Sequence, residues 1–454
     1  MNKINMHVIW GLILWLTFLA AVTCFAQPAS MPCHTEVHIV NSGVQDGQME
    51  KHVVAFREVI RVPQAPWLRL NFGKCNLGQE SYLLITSLED GAWQRLNSIS
   101  LIQWQSASAF FNGDALEVEL HVASGDKGIF FEVREIMVGE HESNNWIEGS
   151  KDICDIIDDR VPSEDDAIGR FIWIVGADSA SKCTGWITSS GAYLTAGHCA
   201  GMIDVLEFNI PPSDSNGTTN FAHPHDQYAV IPGSIDFHDN GLGDDWTVFN
   251  VSPNSNTGLL PPQAQGAFYR MSRDSNPGNI RITGYGVDDD PLGTTGGYNL
   301  FNRTQQTHAG PNEGETVDGP ADSYWEYRVD TMTGNSGGPV ISFGSTLTLG
   351  IHTHGGCGPA GFGANAGTSF ENDSLEAAIQ TFPGDSVVYV DKGHTVIQED
   401  GTVFRPWDTV AEGVIDVLEG GKLSIVKGSY DEPMEINKAM TIVAPVGAVT
   451  IGEW

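Results

Sequence analysis

The chain reads as an all-β protein, and three observations carry that reading. Its 454 residues are 41% hydrophobic and include 52 glycines, a composition that suits a globular, loop-rich, strand-built protein rather than a disordered one. Apolar and polar residues alternate over short runs such as "WLRLNF" (67–72), "SYLLITS" (81–87) and "LEVELHV" (116–122). Turn residues separate those runs at intervals of roughly ten, as in packed antiparallel sheets.

Length alone gives a prior of about three domains, and the texture divides the chain accordingly. Residues 1–26 carry Lys3, an apolar run from Val8 to Val22 and the small residue Ala26, which together predict a secretory signal cut after Ala26. Cys24 raises the alternative of a lipid-modified cysteine, which Thr23 before it fits poorly. An exported chain, extracellular or periplasmic, is the expectation. Residues 33–140 contain "EVHIV", "WLRLNF", "SYLLITS", "LEVELHV" and "GIFFEVREIMV", predicting a β-sandwich-like domain with no catalytic constellation. The polar, aperiodic stretch 141–151 reads as a linker. Residues 152–382 are again short strands with Gly turns. From 386 to 454, "SVVYVD", "GVIDVLEGGKLSIVKGSY" and "MEINKAMTIVAPVGAVTIG" form a small β segment that resembles the opening coils of a parallel β-helix.

Lys+Arg 23 against Asp+Glu 57 gives a net charge of −34, which repels nucleic acid and anionic membranes and excludes both as partners. Beyond the signal no stretch is long and apolar enough to cross a bilayer. Behind the signal six cysteines remain, an even number that in an exported chain implies three disulfides among 15 possible pairings. The pairs expected are Cys183–Cys199, closing a short loop, Cys33–Cys75 within the first domain, and Cys154–Cys357 across the second.

The chemistry gathers in 152–382. "TMTGNSGGPV" (331–340) sets Ser336 among Gly334, Gly337 and Gly338. A turn would explain those residues, but so would a nucleophile held on a sharp bend. A serine hydroxyl needs a base to take its proton, and histidine titrates close to working pH. "WITSSGAYLTAGHCAG" (186–201) supplies His198 at the end of an apolar strand, beside Cys199. "GLGDDWTVFNV" (241–251) supplies Asp245, which the following strand would draw inward to orient the imidazole. Asp244, Asp236 and Asp239 are weaker alternatives.

The order His198, Asp245, Ser336, with the motifs "TAGHC", "DDWTVF" and "GNSGGP", resembles the chymotrypsin-fold serine proteases over about half the chain. "DDRVPSEDDAIGRFIWI", "DTMTGNSGGPV" and "GIHTHGG" are most similar to the bacterial glutamyl endopeptidase branch. The resemblance implies two six-stranded β-barrels with the triad in the cleft between them, and an oxyanion hole made by the N–H groups of Gly334 and Ser336. It implies a secreted serine endopeptidase that works through an acyl-enzyme, without cofactor or metal, on a protein or peptide substrate. Where the digestive proteases carry Asp before the nucleophile this chain has Asn335, which cannot make their activating ion pair with a new N-terminus.

Two specificity readings follow. Thr331 and His352 match the pair that holds a substrate carboxylate in the glutamyl endopeptidases, giving cleavage after Glu, with Thr353 lining the cleft. Asp330 stands where trypsin-like enzymes bind Arg or Lys, giving the opposite preference. "HTH" (352–354) and "HPHD" (223–226) lack a third ligand at telling spacing, so no metal is expected. The competing class is an inactive protease-like binding or adhesion protein, against which the complete triad argues.

Overall fold

The structure, a computed structural model, describes residues 29–48, 51–142, 151–174, 179–288, 300–319, 322–358, 362–382, 387–395 and 398–452. The expected signal peptide 1–26 and most of the linker 141–151 lie outside the described residues.

The N-terminal part is two antiparallel sheets face to face. One joins Val53–Arg61, Ala115–Val122, Tyr82–Ser87 and Trp93–Leu96. The other joins Ala29–Asn41, Glu132–Gly139, Trp67–Phe72 and Phe111–Asn112. Their period-two apolar faces meet in one core: Leu83, Ile85, Val118 and Leu120 from the first, Leu68, Leu70, Val133 and Ile136 from the second.

This sandwich is sewn to the next part by a shared strand. Within Ala29–Asn41, residues 33–41 pair with Glu132–Gly139, whereas residues 29–32 pair with 179–182 of the following barrel. The core is shared as well, since Ile172, Val205, Phe221 and Ala229 complete it. Polar contacts add specificity across the seam. Gln227 Oε1 accepts from Phe110 N (2.9 Å) and its Nε2 donates to Phe110 O (2.8 Å), while Arg69 pairs with Asp204. The junction is a packed interface, not a tether of linker alone.

The first barrel is built from Ile168–Ile174, Ser179–Ile187, Tyr193–Thr195, Ile203–Glu207, Gln227–Ala229, Asp236–Asp239 and Asp245–Phe249. The second is closed. Gln306–Val317, Asn279–Gly284, Pro339–Ser342, Leu347–His354, Asn365–Ser369 and Ser323–Tyr327 follow one another round, and the last pairs back to the first. The C-terminal segment stacks Val387–Val390, Lys422–Ile425 and Thr441–Val443 in parallel, with Gly428–Tyr430 and Val449–Ile451 parallel beside them. That is the stacking of parallel β-helix coils. It buries a small core of its own, Val390, Val410, Leu423, Ile425 and Tyr430, and it also leans on the second barrel: Tyr389, Val403 and Phe404 join a cluster with Met271, Phe370 and Leu375, and Arg270 grips Asp391 (2.6 Å). Among the described residues no helix is long and apolar enough to cross a membrane.

Disulfides join Cys154 to Cys357 and Cys183 to Cys199. The third expected pair, Cys33–Cys75, is not joined. The sheet register explains why. Cys33 lies opposite Gly139 at one end of Glu132–Gly139, next to the start of Trp67–Phe72, whereas Cys75 lies beyond that strand's far end. Seven residues of extended chain separate the two levels, roughly 20 Å, against the roughly 6 Å between Cα atoms that a disulfide spans.

Candidate active site

His198 sits in a single 3-10 stretch, Gly197–Met202, just after Tyr193–Thr195. That strand pairs with Asp245–Phe249, Thr195 opposite Thr247, so the end of one strand faces the start of the other. The Asp245 carboxylate therefore reaches the histidine twice. Oδ2 lies 2.7 Å from His198 Nδ1, and Oδ1 accepts from His198 N (3.0 Å). Asp245 is itself only 1% exposed and is anchored by Thr368, whose Oγ1 donates to its carbonyl (2.9 Å) and accepts from its N–H (3.2 Å). An acceptor on Nδ1 places the ring's proton there and turns Nε2 into the free base. Asp244 has a different task. Its carboxylate binds Asn240, His238, the Trp246 indole N–H and Asn372, closing a turn.

Ser336 lies between Thr331–Met332 and Pro339–Ser342 of the second barrel. Two left-handed residues bend its loop, Gly334 (φ 100°) and Gly337 (φ 87°). Gly337 also has no room for a side chain, since a Cβ would stand 2.1 Å from Thr195 Oγ1. The loop hangs on the first barrel through Thr184: its N–H donates to Ser336 O (2.8 Å) and its Oγ1 to Gly334 O (2.9 Å). Cys183, the preceding residue, is bonded to Cys199, the neighbour of His198. A chain of three short links thus brings nucleophile candidate and base candidate together. Both His198 Nε2 and Ser336 Oγ are buried without a hydrogen-bond partner, and the N–H groups of Gly334 and Ser336 donate to no protein acceptor among the described residues.

Around the other side of Ser336, Thr331 and His352 are both buried. Asn365 Nδ2 donates to Thr331 Oγ1 (3.0 Å), leaving the threonine's proton free to donate. Tyr327 Oη lies 2.7 Å from His352 Nδ1. Burial, then the neighbouring His354 and His198, push His352 down to about 3, so the ring is neutral at ordinary pH. Thr353 is buried and its Oγ1 meets His354 Nδ1 (2.8 Å). A register shift between His352 and His354 breaks the regular strand geometry that would have set both rings on one face.

A histidine whose folded pKa falls from 6.5 to about 3 takes up its proton only on unfolding. Its stabilising effect is complete above pH 6.5 and is lost as pH falls towards 3. Acidification from pH 7 to 5 is expected to cost about 2 kcal/mol through His352 alone. Urea unfolding at the two pH values checks this: His352→Gln, which still accepts from Tyr327, should remove most of the difference.

Asp330 is held by backbone donors. Its two oxygens accept from Cys154 N (2.7 Å) and Asp159 N (2.9 Å), and it is 2% exposed. Arg160 was not singled out by the sequence, yet it stands against Asn335. Held by Asp158 (2.6 Å) and Val287 O (2.9 Å), its guanidinium reaches Asn335 Oδ1 at 3.4 Å. A cation from the segment ahead of the barrel thus sits next to the residue preceding the serine. Thr184, Tyr327, Asn365 and Thr368 were also missed. Nothing marks a Thr, Tyr or Asn locally as support for a site formed by residues 25 to 150 positions away.

Residues 161–370 match the trypsin family. No curated protein matches the chain. Among solved structures, the chain is similar to a thermostable serine protease, AL20, from an extremophilic microorganism, at 15% identity over 48% of this chain and 99% of that one, TM-score 0.34. It is also similar to the protease Anisep of Arthrobacter nicotinovorans (16% identity, 46% and 93%, TM-score 0.33) and to a protease of M. tuberculosis in its active form (14%, 47% and 81%, TM-score 0.31). Residues 161–370 are a trypsin-family domain, and the chain that carries it is a serine endopeptidase.

Proposed function

We propose that the protein is a secreted endopeptidase of the glutamyl endopeptidase kind, cutting after Glu through Ser336, His198 and Asp245. The observation that carries this reading is the pairing of an Asp245-bound imidazole with two unpartnered buried atoms, His198 Nε2 and Ser336 Oγ. His198 Nε2 takes the Ser336 proton as Oγ attacks the substrate carbonyl. Asp245 holds the tautomer and stabilises the imidazolium. The N–H groups of Gly334 and Ser336 receive the oxyanion, each worth about 3–4 kcal/mol to the transition state. The imidazolium returns its proton to the leaving amine, and water, activated by the same nitrogen, releases the acyl-enzyme.

Preference for Glu rests on donors. Thr331 Oγ1 accepts from Asn365, so its proton is available, and a Tyr327 hydroxyl donating to His352 Nδ1 puts the ring's proton on Nε2, a donor that a substrate carboxylate would take over from the Ala366 carbonyl. The basic preference loses its anchor, since backbone amides already occupy both oxygens of Asp330. Export through the 1–26 signal agrees with the two disulfides. The division 33–140, 152–382 and 386–454 gives a sandwich, a protease and a β segment, the outer two acting as packed flanks of the middle one.

The test is covalent labelling. A small fluorophosphonate should modify Ser336 in the intact chain, identified by peptide mass, and His198→Ala should abolish the modification. A peptide library then reads specificity. Cutting after Glu, weakened about 100-fold by Thr331→Val, supports the pocket, while cutting after Arg or Lys hands it back to Asp330.

A further inference from the structure

We propose that Asp152 is a built-in plug of the specificity pocket, holding the enzyme latent until residues 151–152 are peeled away. The proposal rests on the reading of Thr331 as a pocket residue. Lys151–Asp152 is a two-residue strand that pairs antiparallel with Thr331–Met332, placing Asp152 directly opposite Thr331. Its carbonyl accepts from Asn365 Nδ2 (2.8 Å), the same group that donates to Thr331 Oγ1. Its carboxylate lies against Gly355, one residue past the Leu347–His354 strand. A Cβ on Gly355 would stand 2.0 Å from Asp152 Cγ and 2.1 Å from each carboxylate oxygen. With 4% exposure, Asp152 fills the space between Thr331, Gly355 and Asn365. The absence of a side chain at Gly355 is what admits the Asp152 carboxylate.

The occupant has the chemistry of the proposed substrate, a carboxylate, and it is fastened as a plug would need to be. Cys154, two residues on, is bonded to Cys357. The N–H groups of Cys154 and Asp159 are taken by Asp330, and Arg160 is fixed by Asp158. Asp330 thereby acquires a use that substrate binding did not give it. The Asp152 carbonyl is committed to Asn365, so the segment blocks the pocket without offering its own peptide bond to Ser336.

The experiment uses the full chain with two readouts. A small fluorophosphonate reaches Ser336 without entering the side-chain pocket, so wild type, Asp152→Ala and Asp152→Pro should all label at rates within about twofold. Retained labelling also shows that the variants fold. On a peptide with Glu at the cleaved position, Asp152→Ala should raise kcat/KM at least tenfold. Asp152→Pro, which removes the strand's N–H as well as the carboxylate, should raise it further. Equal labelling with kcat/KM unchanged in both variants overturns the plug. Absence of labelling in the wild type overturns the nucleophile assignment instead, and the plug falls with it.

Discussion

With the pocket opened by Asp152→Ala, Ser336→Ala is expected to lower kcat on a Glu-containing peptide by about 10⁶, and His198→Ala by a similar factor. The two losses are not additive. Without the hydroxyl there is no proton for Nε2 to take, and without Nε2 the hydroxyl remains a weak nucleophile, so the double variant should be no slower than either single one. Asp245→Asn should cost about 10⁴. The amide would fill the same space, but its N–H₂ end would face His198 Nδ1, or its carbonyl would have to serve both His198 N and Nδ1 where two carboxylate oxygens now do. The imidazole would then lose the preference for carrying its proton on Nδ1. Steady-state kinetics with unchanged near-UV circular dichroism checks all three. An Asp245→Asn variant within tenfold of its parent would remove Asp245 from the mechanism and bring Asp239, the other carboxylate near His198, into question.

How far the sequence could be read follows from which signals are local. Alternation in "SYLLITS" predicts a half-buried strand because side-chain period and burial period are the same physical fact, and the strand Tyr82–Ser87 alternates accordingly. The motifs of the candidate triad are legible for a similar reason. A glycine at 334 or 337 is demanded by its own backbone angle, and a cysteine next to His198 announces a constraint, here to a cysteine 16 positions earlier. What stayed hidden is relational. Residues 29–32 pair with 179–182 although about 150 positions separate them, and nothing in "ASMP" specifies a partner. Asp152 looks like one more charge at the edge of a polar linker until Thr331, Gly355 and Asn365 close round it. The pairing Cys33–Cys75 fails on the same ground, since proximity in the chain says little about level within a sheet.

Arg170→Met is expected to destabilise the fold by about 3–5 kcal/mol. Arg170 is fully buried; its Nε donates to Glu207 (2.6 Å), and its two remaining nitrogens donate to Arg303 O (2.9 Å) and Asn220 O (2.7 Å). In its strand it faces Glu207 on one side and Thr184 on the other, so the residue that hangs the Ser336 loop rests on it. Removing the guanidinium strands a buried carboxylate whose other oxygen accepts, among the described residues, from Ala222 N alone. The double variant Arg170→Met/Glu207→Leu should recover most of the loss, because desolvated charge rather than lost volume sets the cost. A neighbour gives the prediction a pH signature. Lys182 Nζ lies 5.1 Å over the Phe221 ring with no hydrogen-bond partner among the described residues; burial, and then Arg170 and Arg303, hold its pKa well below the usual lysine range. Without Arg170 one of those repulsions is gone, and Lys182 can take up a proton and face Glu207 in its place. Protonation is favoured as pH falls, so the deficit of the single variant should be larger at pH 9 than at pH 6. Guanidinium unfolding at both pH values decides the matter. An equal deficit would mean that Lys182 stays neutral throughout, and a double variant no more stable than the single one would mean that the charge pair was never what Arg170 contributed.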